Sequence, residues 1–196
     1  MITIIDSGGA NIASIQDAFE RLGVTAKLSG DAEVIKKSTH VILPGVGSAG
    51  SAMQQLRQHS LVEVIRSLTQ PVLGICLGMQ LLFDFSDEGN VECLKLIPER
   101  IVKISSEEKN LIVPHMGWNT LEILDDDVIL KDIPNHSCAY FIHSYMAPVG
   151  NYTSAITSYG EKFSAAIQQG NFYGTQFHPE RSSMIGSKIL KNFLEL

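Results

Sequence analysis

Gly74-Ile75-Cys76-Leu77-Gly78 sets a cysteine between two glycines, G-x-C-x-G, where the apolar run Val72–Ile75 gives way to a helical pattern. With serine at the centre, this arrangement is the nucleophile elbow. A sharp strand-to-helix turn holds its central residue in a strained backbone conformation, and side chains two positions to either side would collide. The turn lifts the central side chain clear of the sheet and puts the sulfur at a helix N-terminus, whose positive end favours thiolate. Cys93 and Cys138 have no such setting and read as structural thiols.

A nucleophilic thiol needs a base and a group that orients the base. His178-Pro179-Glu180 follows the apolar run Phe172–Phe177. Proline keeps the residue before it out of the helical region. In an extended stretch residues two apart point the same way, so Glu180 can reach one ring nitrogen of His178 while the other faces the sulfur. Pro44-Gly45-Val46-Gly47 leaves another strand and offers a backbone N–H for an oxyanion, with the Leu77 N–H as second donor. Asp6–Asn11 follows a strand but is not G-x-G-x-x-G, and no G-x-x-x-x-G-K-[ST] occurs, so neither a dinucleotide site nor a P-loop is expected.

The elements that must position these groups follow from apolar periodicity. Ile2–Ile5, Val24–Leu28, His40–Leu43 and Val72–Ile75 read as short buried strands. Between them come a helix carrying Ile12, Ile15, Phe19 and Leu22, with Asn11 as its N-cap and Gly23 as its stop, and one or two helices carrying Met53 to Leu68. Met79–Phe83 reads as the opening of a further helix. In the second half Ile101–Ile104, Thr120–Leu124, Tyr140–Tyr145, Thr153–Ser158, Ser164–Gln168 and Tyr173–Phe177 read as strands, with Gly-led turns that favour antiparallel hairpins. Ser182–Leu196 closes the chain as a one-faced helix. The expectation is a three-layer α/β fold with a central mixed, mostly parallel sheet, added antiparallel strands, and ligand-binding loops at the C-terminal ends of the strands.

Composition narrows the function. The 196 residues are 44% hydrophobic and 18% charged, enough apolar material for one domain over 1–196 with a full core. Fifteen Lys+Arg against 21 Asp+Glu give a net charge of −6, which offers no electrostatic attraction to nucleic acid or to an anionic membrane. No stretch reads as a membrane span or signal peptide. Three cysteines without C-x-x-C spacing argue against a disulfide framework or a zinc site, so a reducing cytoplasmic setting without metal is expected.

Gly-Ile-Cys-Leu-Gly-Met-Gln at 74–80 together with His-Pro-Glu at 178–180 resembles the triad-type class I glutamine amidotransferases. Pro114-His115-Met116-Gly117-Trp118-Asn119, Tyr140-Phe141-Ile142-His143-Ser144-Tyr145 and the opening Asp6-x-Gly8-x-x-Asn11 look like the branch of that family that serves imidazole glycerol phosphate synthase in histidine biosynthesis. The resemblance runs the length of the chain and implies the flavodoxin-like fold of that family. It implies glutamine hydrolysis through a Cys76 thioester, with His178 as base and acid, Glu180 orienting it, and no cofactor. It implies that Val46, Gly47, Leu77, Gln80, His143, Ser144 and Tyr145 hold glutamine or form the oxyanion hole. It also implies a (β/α)₈-barrel cyclase partner that receives the ammonia and forms imidazole glycerol phosphate and AICAR.

For that partner the resemblance points to Asn11, Pro114, His115, Met116, Gly117, Trp118, Asn119, Tyr140 and Arg181. Large residues such as Met116, Trp118 and Tyr140 suit an interface core, although composition alone favours Trp118 as a core tryptophan. Two positions depart from the pattern of many relatives: Ile112 stands where a basic residue is common, and Arg181 where lysine is common. The alternative is a paralogous glutaminase that supplies ammonia to another synthase, such as one forming amidino sugars.

Overall fold

The computed structural model describes residues 1–7, 12–45, 47–105, 111–124 and 128–196. The first half lays down β1 (Ile2–Ile5), α1 (Ile12–Arg21), β2 (Ala26–Ser29), α2 (Ala32–Lys36), β3 (His40–Leu43), α3 (Ala49–Gln58), α4 (Leu61–Arg66), β4 (Val72–Ile75) and α5 (Leu77–Gln80). Then follow β5 (Phe83–Ser86), β6 (Val91–Glu92), β7 (Ile97–Lys103), β8 (His115–Thr120), β9 (Glu122–Ile123), β10 (Cys138–His143) and β11 (Tyr145–Met146). The chain ends with β12 (Thr153–Tyr159), β13 (Glu161–Gln169), β14 (Phe172–Thr175) and α6 (Ser183–Leu194).

The main sheet runs β2-β1-β3-β4-β14-β13-β12-β9. Pairing is parallel from β2 through β14 and antiparallel from β14 to β9. Alternate residues of the central strands enter different hydrophobic clusters. Ile4, Ile42, Leu73 and Ile75 pack with α1 and α6, whereas Ile5, Val41, Leu43 and Val72 pack with α2, α3 and α4. That two-residue alternation puts a helical layer on each face, which is why these strands read as continuous apolar runs. In α1, Ile15, Ala18 and Phe19 form the buried stripe. Gly23 ends the helix at φ +77°, with its N–H donated to the Glu20 carbonyl. The expected Asn11 cap lies outside the described residues.

Two smaller sheets sit beside this frame: β10-β8, and β11-β7-β5-β6. They hold most of the departures from the sequence-based expectation. The helix expected over Met79–Phe83 spans only Leu77–Gln80, and Phe83 begins β5. Leu81, Leu82 and Phe83 are all fully buried, so no polar helical face exists there. Their carbonyls instead accept from the Leu94, Leu96 and Lys95 N–H groups at 2.9–3.0 Å, a long-range pairing that local periodicity does not reveal. The strand expected over Thr120–Leu124 breaks at Leu121 into β8 and β9, which join different sheets, and Tyr140–Tyr145 breaks at Ser144 into β10 and β11.

The packing makes opposite predictions for two glycines. A Cβ on Gly78 would stand 1.9 Å from the Leu43 carbonyl oxygen, whereas one on Gly50 in α3 meets nothing within 4 Å. Gly78→Ala is expected to cost about 3 kcal/mol. Gly50→Ala is expected to add about 0.5 kcal/mol through helix propensity. Urea unfolding of the two variants checks both signs.

Candidate active site

β3, β4 and β14 are neighbours in the sheet, so the loops beyond their C-terminal ends meet at one place. The β4 loop carries Cys76 at φ +53°, ψ −109°, a strained conformation for a side-chain-bearing residue. It is held by the Cys76 N–H to the Thr175 carbonyl at 2.7 Å and the Gln80 N–H to the Cys76 carbonyl at 3.2 Å. A Cβ on Gly74 would come within 2.7 Å of the Gly78 carbonyl, as the steric reading of the elbow requires. The clash at Gly78 falls instead on β3, and a Cβ on Gly45 would stand 2.4 Å from the Leu77 nitrogen. The elbow is thus wedged against the 44–47 loop by backbone contact. Val46 lies outside the described residues. With four residues, α5 offers only a weak dipole to the sulfur.

His178 is 8% exposed, and its Nδ1 lies 2.8 Å from Glu180 Oε1, in a pair whose carboxylate side chain is completely buried. The sequence pattern reaches this contact through an extended stretch. The structure reaches it differently: His178 is extended at ψ 99°, and Pro179–Arg181 then curls into a 3₁₀ turn that brings Glu180 back under the ring. Burial by itself depresses the imidazole pKa. The nearness of Cys76, the Glu180 hydrogen bond and the charges of both outweigh it and push the group up to about 10. In the resting arrangement the thiol points at the Ile142 carbonyl, 3.6 Å away, and buried His178 Nε2 finds no hydrogen-bond partner among the described residues. Thiol and imidazole are close enough to perturb each other.

Above Cys76 opens a small pocket of about 100 Å³, lined by Gly47, Leu77, Gln80, Glu88, Ile142, His143, Ser144 and Tyr145. Gln80 spends both amide hydrogens, one on the Tyr145 carbonyl at 2.8 Å and one on Gln176 Oε1 at 2.9 Å. What it can still offer is its oxygen. Sequence reasoning missed Glu88, which sits in an ordinary-looking Asp-Glu-Gly-Asn turn. Pairing of β5 with β7 swings that turn over the pocket, where Glu88 Oε2 accepts the Ala49 N–H at 2.7 Å. It is the one carboxylate among the pocket-lining residues, and it suits an ammonium group.

Residues 3–196 match the family model "Glutamine amidotransferase class-I". The chain belongs to this family. It is 48% identical over 196 residues to the imidazole glycerol phosphate synthase subunit HisH 2 of Legionella pneumophila, covering 100% of this chain and 98% of that one. It is 49% identical to the corresponding HisH protein of Xanthomonas axonopodis pv. citri, covering 100% and 97%. Among solved structures, a glutamine amidotransferase superposes with a TM-score of 0.75 at 16% identity, covering 99% of this chain and 97% of that one. A glutamine amidotransferase of Thermotoga maritima superposes with a TM-score of 0.65 at 18% identity, covering 99% and 80%. These structural likenesses show the amidotransferase fold.

The amidotransferase frame also exposes an apolar face. In β8 the side chains alternate: Met116 and Trp118 point outward, 60% and 56% exposed, and Trp118 meets Tyr140 edge-on with ring centroids 5.9 Å apart. Trp118 is therefore not a core residue. Pro114 and Arg181 are exposed, Gly117 and Tyr140 half-buried. Ile112 is 79% exposed, an apolar side chain in water. Asn11 lies outside the described residues. His115 corrects the sequence-based expectation: at 3% exposure it faces inward and does not belong to this surface, and half-buried Asn119 shares its side of the strand. Behind the face, β10 reaches the reactive groups through its backbone. The Tyr140 carbonyl accepts the His178 N–H at 2.9 Å, and the Ile142 carbonyl faces the thiol. Among the described residues no His/Cys/Asp/Glu group is placed to hold a metal, and no helix is long and apolar enough to cross a membrane.

A histidine whose folded pKa is raised contributes stability that is fully present below its unfolded value of 6.5 and lost as pH rises through about 10. Nitrogen-15 NMR of His178 should show an imidazolium persisting well above neutrality. In Cys76→Ala/Glu180→Gln only burial remains, and the titration should fall below 6.5, removing this alkaline loss of stability.

Proposed function

We propose that this chain is the glutaminase subunit of an imidazole glycerol phosphate synthase in histidine biosynthesis, with Cys76 as nucleophile, His178 as its base and Glu180 as the orienting carboxylate. Full-length identity of 48–49% to two such proteins supports the pathway. The observation that carries the chemistry is the strained Cys76 elbow beside a buried His178–Glu180 pair, at the floor of a pocket holding one carboxylate.

With the thiol's proton held on His178, Cys76 attacks the side-chain amide carbon of glutamine. The carbonyl oxygen gathers negative charge, for which the Leu77 N–H and an N–H of the 44–47 loop are the donors. As the C–N bond breaks, the His178 imidazolium gives its proton to the departing nitrogen, releasing ammonia and leaving a thioester. Water, deprotonated by His178, then cleaves the thioester to glutamate and restores the thiol. No step calls for a metal or cofactor. Glu88 receives the α-ammonium, with Gly47, Gln80, His143, Ser144 and Tyr145 completing the pocket.

Ammonia lost to solvent would be wasted, so release belongs with an acceptor enzyme. Exposed Met116 and Trp118 with Tyr140, together with Pro114, Gly117 and Arg181, form the face for a (β/α)₈-barrel cyclase that uses the ammonia to make imidazole glycerol phosphate and AICAR. The chain acts as one amidotransferase domain, a reading supported by two hydrophobic clusters that share one sheet, and, as a biosynthetic enzyme subunit, in the cytoplasm.

Glutamine turnover should be slow for the chain alone and rise strongly with the cyclase partner and its nucleotide ligand present. Cys76→Ala should lower it by a factor of about 10³ or more. Glu88→Gln should raise KM for glutamine by about tenfold or more, as expected for loss of a charge-assisted contact. Trp118→Ala should weaken partner binding by about 2 kcal/mol. Equal turnover in every mixture would detach the chain from this partner and favour a paralogous client.

A further inference from the structure

A chain of hydrogen bonds runs behind the exposed face and ends at the pocket. Asn119 Nδ2 donates to the Ser158 carbonyl at 3.0 Å and lies 3.3 Å from His115 Nε2. His115 Nδ1 lies 2.9 Å from His143 Nε2, and His143 Nδ1 lies 2.8 Å from the Tyr145 carbonyl. That same carbonyl accepts from Gln80, whose other amide hydrogen goes to Gln176. Gln176 in turn donates toward Cys76 Sγ at 3.7 Å.

The direction of every proton in the first half of this chain is fixed. A carbonyl cannot donate, so His143 carries its hydrogen on Nδ1 and presents a lone pair at Nε2. His115 must then donate from Nδ1 and accept at Nε2. Asn119 supplies that donor, and its amide cannot turn over, because Oδ1 accepts the Thr120 N–H at 2.8 Å while Nδ2 serves Ser158. Both rings are neutral, as the scheme needs: burial lowers His115 to about 4 and His143 to about 3. His115 is clamped by stacking on Tyr159 and Phe141, with centroids 4.0 and 5.0 Å away. None of these groups exchanges a proton in the chemistry proposed above.

We propose that His115 and Asn119 are positioning residues for the glutamine pocket. By fixing His143 as its Nδ1-protonated tautomer they hold the Tyr145 carbonyl where it anchors Gln80. If His143 took the other tautomer, its Nδ1 lone pair would face that carbonyl, and the two would repel. The Tyr145 backbone would move, and Gln80 would lose its fixed orientation. The chain rises from β8, the strand that carries Met116 and Trp118, so the pocket is braced by the strand that presents the apolar face. This inference rests on the glutamine-site reading for its kinetic consequence, but not for the tautomers themselves.

The test uses the full chain, nitrogen-15-labelled at histidine, and the complex with the cyclase partner and its nucleotide ligand. In the wild type, His143 should give the Nδ1–H tautomer. His115→Phe keeps the aromatic stack and removes the donor. His143 should then become a mixture of tautomers, and KM for glutamine should rise about tenfold, the worth of one buried hydrogen bond, with kcat within about twofold. His115→Asn, whose amide nitrogen overlays Nδ1, should restore the tautomer and bring KM back to within about threefold of wild type. A merely structural role would not separate these two variants. Asn119→Leu, at a half-exposed position, should move both readouts in the direction of His115→Phe, and it decides the matter if His115→Phe does not fold. An unchanged His143 tautomer or unchanged KM in a folded variant overturns the proposal. A wild type with the expected tautomer but no glutamine turnover in any mixture would overturn the glutaminase reading instead.

Discussion

Backbone contacts too close for a methyl group hold the site together. Gly78 presses on the Leu43 carbonyl and Gly45 on the Leu77 nitrogen, so the exits of β3 and β4 form one rigid body around Cys76. Glycine is needed there for what it lacks, not for conformational freedom. The strained φ of Cys76 persists because these contacts and the Thr175 hydrogen bond over-determine it. With the sulfur's place fixed, the other groups need only be brought to it.

Burial governs the charges. The Glu180 side chain is wholly buried, and one of its oxygens finds no hydrogen-bond partner among the described residues. An isolated carboxylate there would be costly, and the His178 imidazolium is its natural counter-charge. Burial lowers the pKa of all three histidines; at His115 and His143 no carboxylate offsets it, and both are driven neutral. Three buried histidines thus take different roles according to the partner each meets: one holds a proton against a thiol and a carboxylate, and two pass a fixed hydrogen-bond polarity.

β8 and β10 are where surface and interior meet. Their outward side chains make the apolar face of Met116, Trp118 and Tyr140. Their backbones and inward side chains reach His178, the Cys76 thiol and the wall of the pocket. A pleated strand does this without special machinery, since successive residues point to opposite sides. Small displacements of this pair would be felt at the sulfur, because its links to the site include hydrogen bonds of fixed direction as well as apolar packing.

By itself the sequence determined the parallel half of the sheet, the elbow and the His-Pro-Glu segment. Short apolar runs bounded by turns, and glycines at fixed spacing, are local signals that no distant residue overrides. Tertiary structure decided the rest. The run from Leu81 to Phe83 left the helix because its carbonyls found partners near residue 95. Glu88 entered the pocket because β5 pairs with β7, and nothing in its own turn foretells that. Trp118 could have been core or surface by type, and the register of β8 against β10 turned it outward while turning His115 in. Local pattern fixes which residues can form an element. Which face meets water, and which distant backbone satisfies a buried carbonyl, is settled only when strands far apart in sequence find their register.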